Sequence, residues 1–289
     1  MRTTSAAGTA LAFRCRTGGV SRIGARLVSS PSPPSAERAR YPSPVPVNPP
    51  ARVPRALHAS PAISLGVAAS TWLVGWLSGN IAGSAVLAVS GTADRSAADR
   101  PAWVAVCSAI ALWIPQLVAL AVVSRRFATG KPLADYSLSF RPIDLAGIPI
   151  GVLSQLVLLR VVYWPLQAWW PDAFSNRHLE QNAKDLYNTA NGIWVVVLVV
   201  VVVVGAPFVE ELVYRGLLMG AARRRLHDLV ALVGVALFFA LIHFRPVEYP
   251  GLFAFGLVLG ACVLATDRIG MGIMAHVAFN ATAVALVAR

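Results

Sequence analysis

The chain has 289 residues, of which 56% are hydrophobic and only 13% charged, with a mean hydropathy of +0.63. A soluble globular domain is nearer a quarter charged, so this composition excludes an ordinary water-soluble fold and points to a membrane protein. The net charge of +12 does not spread over a globular surface. It concentrates in the first 60 residues and in short stretches between apolar runs, with no nucleic-acid recognition module, so no nucleic-acid partner is expected.

Residues 1–60 form an Arg/Ser/Pro-rich segment (SSPSPPSAERARYPSPVPVNPP) with one acidic residue, Glu37. Such a composition cannot bury a core and predicts a disordered basic tail. The beginning, MRTTSAAGTALAFRCR, lacks the apolar run of a secretory signal. It reads as a cytosolic tail; its Arg-rich, acid-poor character also resembles an organelle transit peptide, which would place the protein in an organelle membrane.

From residue 61 to 289 the chain reads as an all-α membrane domain. Apolar stretches run at about 62–90, 102–124, 145–169, 192–222, 229–244, 250–266 and 270–288. A helix needs about 20 apolar residues to cross the hydrocarbon core. The first four meet that length and the last three are shorter, giving a bundle of about seven transmembrane helices. The valine run IWVVVLVVVVVVG would suit a strand in water. In lipid an unpaired strand leaves its backbone polar groups unsatisfied, so a helix is expected.

The loops alternate in charge. The loop 125–142 holds Arg125, Arg126, Lys131 and Arg141 against Asp135, and Arg223, Arg224 and Arg225 follow the fourth span. The loop 91–101 is balanced, and 171–190 sets Asp172, Glu180 and Asp185 against Arg177 and Lys184. The positive-inside rule then predicts a multi-pass protein of the cell membrane with a cytoplasmic N-terminus. The fourth helix would run inward and end at the RRR cluster.

Of thirteen acidic residues, Glu210 and Glu211 alone lie deep in an apolar span. An ionisable group at membrane depth is costly and marks a functional site by default; the bland alternative is a structural ion pair. Two acids exceed what one arginine neutralises. Glu211 and Arg215 are four apart on one helical face and can pair, while Glu210 points about 100° away and is left to face a cavity. There it suits a general base. Pro207 removes a backbone donor three residues earlier and can kink the helix.

Of five histidines, His58, His178 and His227 fall in the tail or loops, and His243 and His276 are expected in apolar helices. Glu210 and His243 flank the turn at 223–228 at similar distances, so an antiparallel helix pair would bring them to similar depth. His276 and Asn280 share a face, as do Phe239 and His243. The three cysteines, Cys15, Cys107 and Cys262, form no CxxC pair and imply neither a disulfide framework nor a zinc ribbon.

In order, EExxxR (Glu210, Glu211, Arg215), FxxxH (Phe239, His243) and HxxxN (His276, Asn280) resemble the type II CAAX prenyl endopeptidase family, also called CPBP or Abi proteins, which are intramembrane glutamic proteases. The resemblance covers about residues 190–285. It implies a catalytic set of Glu210, His243, His276 and Asn280, with Glu211, Arg215 and Phe239 supporting the site. Glu210 assisted by His243 would activate a water for attack on a peptide carbonyl, and His276 and Asn280 would stabilise the oxyanion. No cofactor or metal is implied. The partners implied are the lipid bilayer and a protein or peptide substrate, including membrane-anchored ones. Two other readings compete. One is a non-catalytic Abi-type scaffold or bacteriocin-immunity protein. The other is a zinc intramembrane protease with Glu210, His243 and His276 as ligands, although HExxH is absent. A proton-coupled transporter is a third class, unsupported by any repeated half.

Overall fold

The computed structural model describes residues 63–175, 184 and 190–288, all within the compact unit Pro54–Arg289. The tail 1–60, with Cys15 and His58, and the loop residue His178 lie outside the described residues. Among those described there are helices and no strand. Six are long and apolar enough to cross a membrane: α1 (Leu65–Val89), α2 (Ala102–Phe127), α3 (Pro142–Trp169), α4 (Ile193–Ala222), α6 (Pro246–Thr266) and α7 (Gly270–Val287). The seventh, α5 (Asp228–Leu241), has 14 residues. It spans about 21 Å at the α-helical rise and falls short of a full crossing.

The fifth apolar stretch was expected to stay helical to residue 244, and it does not. Phe244 takes a left-handed φ of 52°, and Pro246 follows, so the backbone cannot continue the helix beyond Leu241. His243 therefore lies in the turn beyond α5, not on a helix.

Glycines set how closely the helices pack. A Cβ on Gly75 would lie 3.1 Å from the Gln116 backbone and one on Gly83 would lie 3.4 Å from the Ser108 carbonyl, with Gly79 against Leu112 between them. Rising numbers on α1 meet falling numbers on α2, so the pair is antiparallel. In α3, Gly147 and Gly151 meet the backbone of α7 at Met271 and Ala275. Here the numbers rise together and the helices run parallel. Gly256 of α6 lies against Ala236 of α5, and Gly260 against Leu232, closing an antiparallel hairpin. With no hydrophobic drive between helices in lipid, such small-residue seams let the backbones approach and gain van der Waals contact.

The core lies around α4, which touches α1, α2, α5, α6 and α7. Every residue from Glu211 to Met219 is buried. A helix apolar on all sides belongs in the centre of a bundle. Outward-facing residues such as Val74, Ile81, Val161 and Trp164 are exposed, as lipid contact requires. The connections at one end are tied together. Arg268 bonds Asp144 at 2.7 Å, Arg223 bonds Asp228 at 3.1 Å and Asp267 at 3.2 Å, and the Ile269 amide donates to the Ser137 carbonyl at 3.1 Å. Asp135 fastens the turn after α2, accepting from the Ser124 hydroxyl at 2.5 Å and the Thr129 hydroxyl at 2.6 Å.

Candidate active site

The centre of the site is α4. Its valine run is helical, but the backbone departs from α-helical register twice, as a π turn at Val201–Gly205 and a π segment at Glu211–Met219. Such departures are concentrated at functional sites in proteins generally. Where the second begins, Glu210 and Glu211 emerge on different sides, as the angle between consecutive helical residues demands. The Glu210 side chain is 26% exposed and the Glu211 side chain is fully buried.

Arg215 Nη1 donates to Glu211 Oε1 at 2.9 Å, the pair the four-residue spacing predicts. Nη2 donates to the Gly256 carbonyl on α6 at 3.3 Å, and the guanidinium carbon lies 4.5 Å from the Phe239 ring centroid. A buried guanidinium needs several partners, and here α4, α5 and α6 each supply one.

Glu211 also reaches α7. His276 Nδ1 lies 3.0 Å from Glu211 Oε1. A carboxylate already receiving a guanidinium proton is an acceptor, so Nδ1 carries the hydrogen and Nε2 is the imidazole's second face. Nε2 lies 3.8 Å from Glu210 Oε2. His276 thus stands between the two glutamates. Glu211 fits there because residue 272 is glycine: a Cβ would come within 2.9 Å of Glu211 Oε2. That oxygen is buried and has no hydrogen-bond partner among the described residues.

His243 is placed by Phe239. Its Nδ1 lies 2.6 Å from the Phe239 carbonyl, which can only accept, so Nδ1 is the donor and neutral His243 keeps a lone pair on Nε2. The Phe239 ring contacts both imidazoles edge-on, with centroids 4.8 Å from His243 and 6.1 Å from His276. Phe255 covers His276 from α6 at 5.4 Å. Among the described residues no ion pair joins Glu210 to His243; the imidazole nearest Glu210 is His276. Asn280, one turn beyond His276, donates from Nδ2 to the Val202 carbonyl at 2.9 Å. Its second amide hydrogen is not used by that bond.

The structure therefore brings Glu210, Glu211, Arg215, Phe239 and His276 into one cluster, with His243 joined to it through Phe239 and Asn280 bound to the π turn. Two contributors were missed in the sequence. Gly272 and the pair Gly147/Gly151 set the approach of α7; small residues four apart (GIPIG) were the available signal. Trp72 and Trp76 of α1 add aromatic contacts, with Trp72 centred 4.6 Å from Phe238 and Trp76 6.1 Å from Phe244; their four-residue spacing puts both rings on one face but does not identify what that face meets. Among the described residues no group of three or more His, Cys, Asp or Glu side chains is gathered to hold a metal ion. A cavity of about 530 Å³ opens at the tied end of the bundle, between Leu133, Leu138, Gly216, Arg223 and Ile269. Arg215 lines it, and neither Glu210 nor the histidines do.

Compared with known families, residues 192–282 match "Type II CAAX prenyl endopeptidase Rce1-like", a protease family. That segment contains Glu210, Glu211, Arg215, Phe239, His243, His276 and Asn280. In comparisons with curated proteins and with solved structures, nothing matches.

Proposed function

We propose that this chain is an intramembrane endopeptidase of the type II CAAX kind, hydrolysing a peptide bond with a glutamate-activated water. The observation that carries the reading is the contact of His276 with both glutamates, 3.0 Å from Glu211 and 3.8 Å from Glu210, inside an apolar bundle. A structural ion pair needs one carboxylate for Arg215; the second carboxylate, partly exposed and beside the His276 imidazole, is free for acid–base work.

In this reading Glu210, the more exposed carboxylate, takes a proton from water as the oxygen attacks the carbonyl carbon of the scissile bond. His243 assists with the lone pair on Nε2. Asn280 stabilises the oxyanion with its second amide hydrogen, and His276, whose Nδ1–H is held by Glu211, does so from Nε2 as the imidazolium; preorganised donation of this kind is worth about 10²- to 10³-fold in rate per donor. The carbon–nitrogen bond then breaks, and the proton held by Glu210 goes to the leaving amine. Glu211 and Arg215 hold the helix and, through Nδ1, the His276 ring. The substrate is a membrane-anchored protein or peptide reaching the site from the bilayer. The basic end of the bundle, with Arg125, Arg126, Arg223, Arg224 and Arg268, faces the cytoplasm of a multi-pass cell-membrane protein.

The test compares protein termini by quantitative mass spectrometry in cells carrying wild type, Glu210→Gln or His243→Ala. New termini that accumulate with wild type and disappear in both variants support the reading and name the substrate. Identical termini in all three, with each protein inserted at equal level, would sink it and leave the cluster a buried structural or binding site.

A further inference from the structure

Asn280 bonds a carbonyl that an ordinary helix would not offer, and this points to a role for Pro207. In an α-helix the Val202 carbonyl accepts from the amide of residue 206, and in a π turn from that of residue 207. Here the Ala206 amide donates to the Val201 carbonyl, five residues back. Residue 207 is proline and has no N–H. Both helical donors are thus withheld from Val202, and Asn280 Nδ2 donates to it at 2.9 Å. The turn is braced from behind: Gly205 lies against Trp113 of α2, where a Cβ would come within 2.9 Å of the indole ring.

We infer that Pro207 is a positioning residue for Asn280, acting through the Val202 carbonyl. The proline and the π turn hold this one carbonyl open toward α7. The carbonyl takes one amide hydrogen of Asn280 and so fixes the direction of the other. A side-chain amide on an apolar helix would otherwise be free to rotate about its χ angles, and a donor displaced by about 1 Å can cost on the order of 100-fold in rate. The inference rests on the proposed role of Asn280 at the oxyanion, and it changes the meaning of Pro207. The residue supplies an acceptor rather than merely a bend.

The test uses the full-length protein in detergent, labelled with ¹⁵N-asparagine, with the Asn280 side-chain signal identified by its loss in Asn280→Asp. Wild type is expected to show two inequivalent amide protons, one shifted downfield and slow to exchange with solvent. In Pro207→Ala, whose restored N–H competes for Val202, that downfield proton should return to the ordinary position. In the terminus assay Pro207→Ala should lower product formation about 10- to 100-fold. The Pro207→Ala/Asn280→Ala double variant should be no worse than Asn280→Ala alone. An unchanged Asn280 signal in Pro207→Ala, or losses that simply multiply in the double variant, would overturn the inference. Should Pro207→Ala fail to fold, Val203 replaced by its α-hydroxy acid weakens the Val202 carbonyl as an acceptor and must move the same signal. If Asn280→Ala and Glu210→Gln abolish cleavage while Pro207→Ala matches wild type, the inference fails and the protease reading stands. If wild type yields no termini, that reading fails, and the amide signal still decides whether Pro207 positions Asn280.

Discussion

Arg215 satisfies a carboxylate, a backbone carbonyl and an aromatic face at once, and it does so almost without water. Removing one member of such a buried pair leaves an uncompensated charge, at a cost of about 3–5 kcal/mol. Arg215→Met is therefore expected to lower stability by that order, read as thermal unfolding in detergent. Combining it with Glu211→Leu should cost less than the two single losses added together. Gly272→Ala drives a methyl toward Glu211 Oε2; expression and unfolding should change little, while proteolysis falls about 10-fold or more, because Glu211 holds the His276 ring. Outside the membrane spans, the Tyr136 hydroxyl donates to the Leu120 carbonyl at 2.6 Å. Burial and then the neighbouring Asp135 charge raise its pKa above the usual tyrosine value. The folded state thus holds the proton more tightly than the unfolded one. Its contribution is complete below about pH 10 and is lost as pH rises beyond that toward the folded value. Unfolding midpoints measured from pH 8 upward should drop above pH 10 in wild type and drop less in Tyr136→Phe. At this scale the sequence was readable where geometry is local. The four-residue spacing was enough to pair Glu211 with Arg215. It was not enough to say which imidazole meets Glu210, because both histidines sit in apolar stretches and the choice depends on where α5 ends.

The ending of α5 is an element-scale event, set by the left-handed Phe244 and by Pro246 rather than by hydropathy, which continues through Ile242 and Phe244. Hydropathy alone therefore extends the helix too far. The two π departures in α4 were also hidden. Valine and leucine serve an i+4 or an i+5 ladder equally, and the shift is decided by Pro207 and by what packs alongside. The glycine seams were written in the sequence as small residues four apart, and they position the site from a distance. Gly151 lies against the Ala275 backbone, one residue before His276. Gly151→Val should force α3 and α7 apart, with an overpacking cost of about 1–3 kcal/mol. Because the displaced strip carries His276 and Asn280, cleavage should fall by more than the loss of folded protein explains. Gly234, with open space where a Cβ would stand, is the matched control and should tolerate alanine with cleavage unchanged.

For the whole molecule, the parallel and antiparallel seams set the ends of α2, α4 and α6 and the starts of α3, α5 and α7 at the same side, where the arginines collect. In a variant with Cys15, Cys107 and Cys262 replaced by serine, a single cysteine introduced at Leu226 should react with a membrane-impermeant maleimide only after the cytoplasmic side is opened. One introduced at Ala93 should react in intact cells. The reverse pattern would invert the proposed orientation. The shortness of α5 has a further consequence. At about 21 Å it covers only about two-thirds of a 30 Å hydrocarbon layer, and His243 marks where it stops. A short span is met by local thinning of the bilayer, and thinning is expected beside the α5–α6 hairpin. Acyl-chain length then becomes a control on turnover: liposomes of shorter lipids should relieve the mismatch and quicken cleavage, and longer ones should slow it. In a cell with membranes of unequal thickness, this protein would collect and work in the thinner ones.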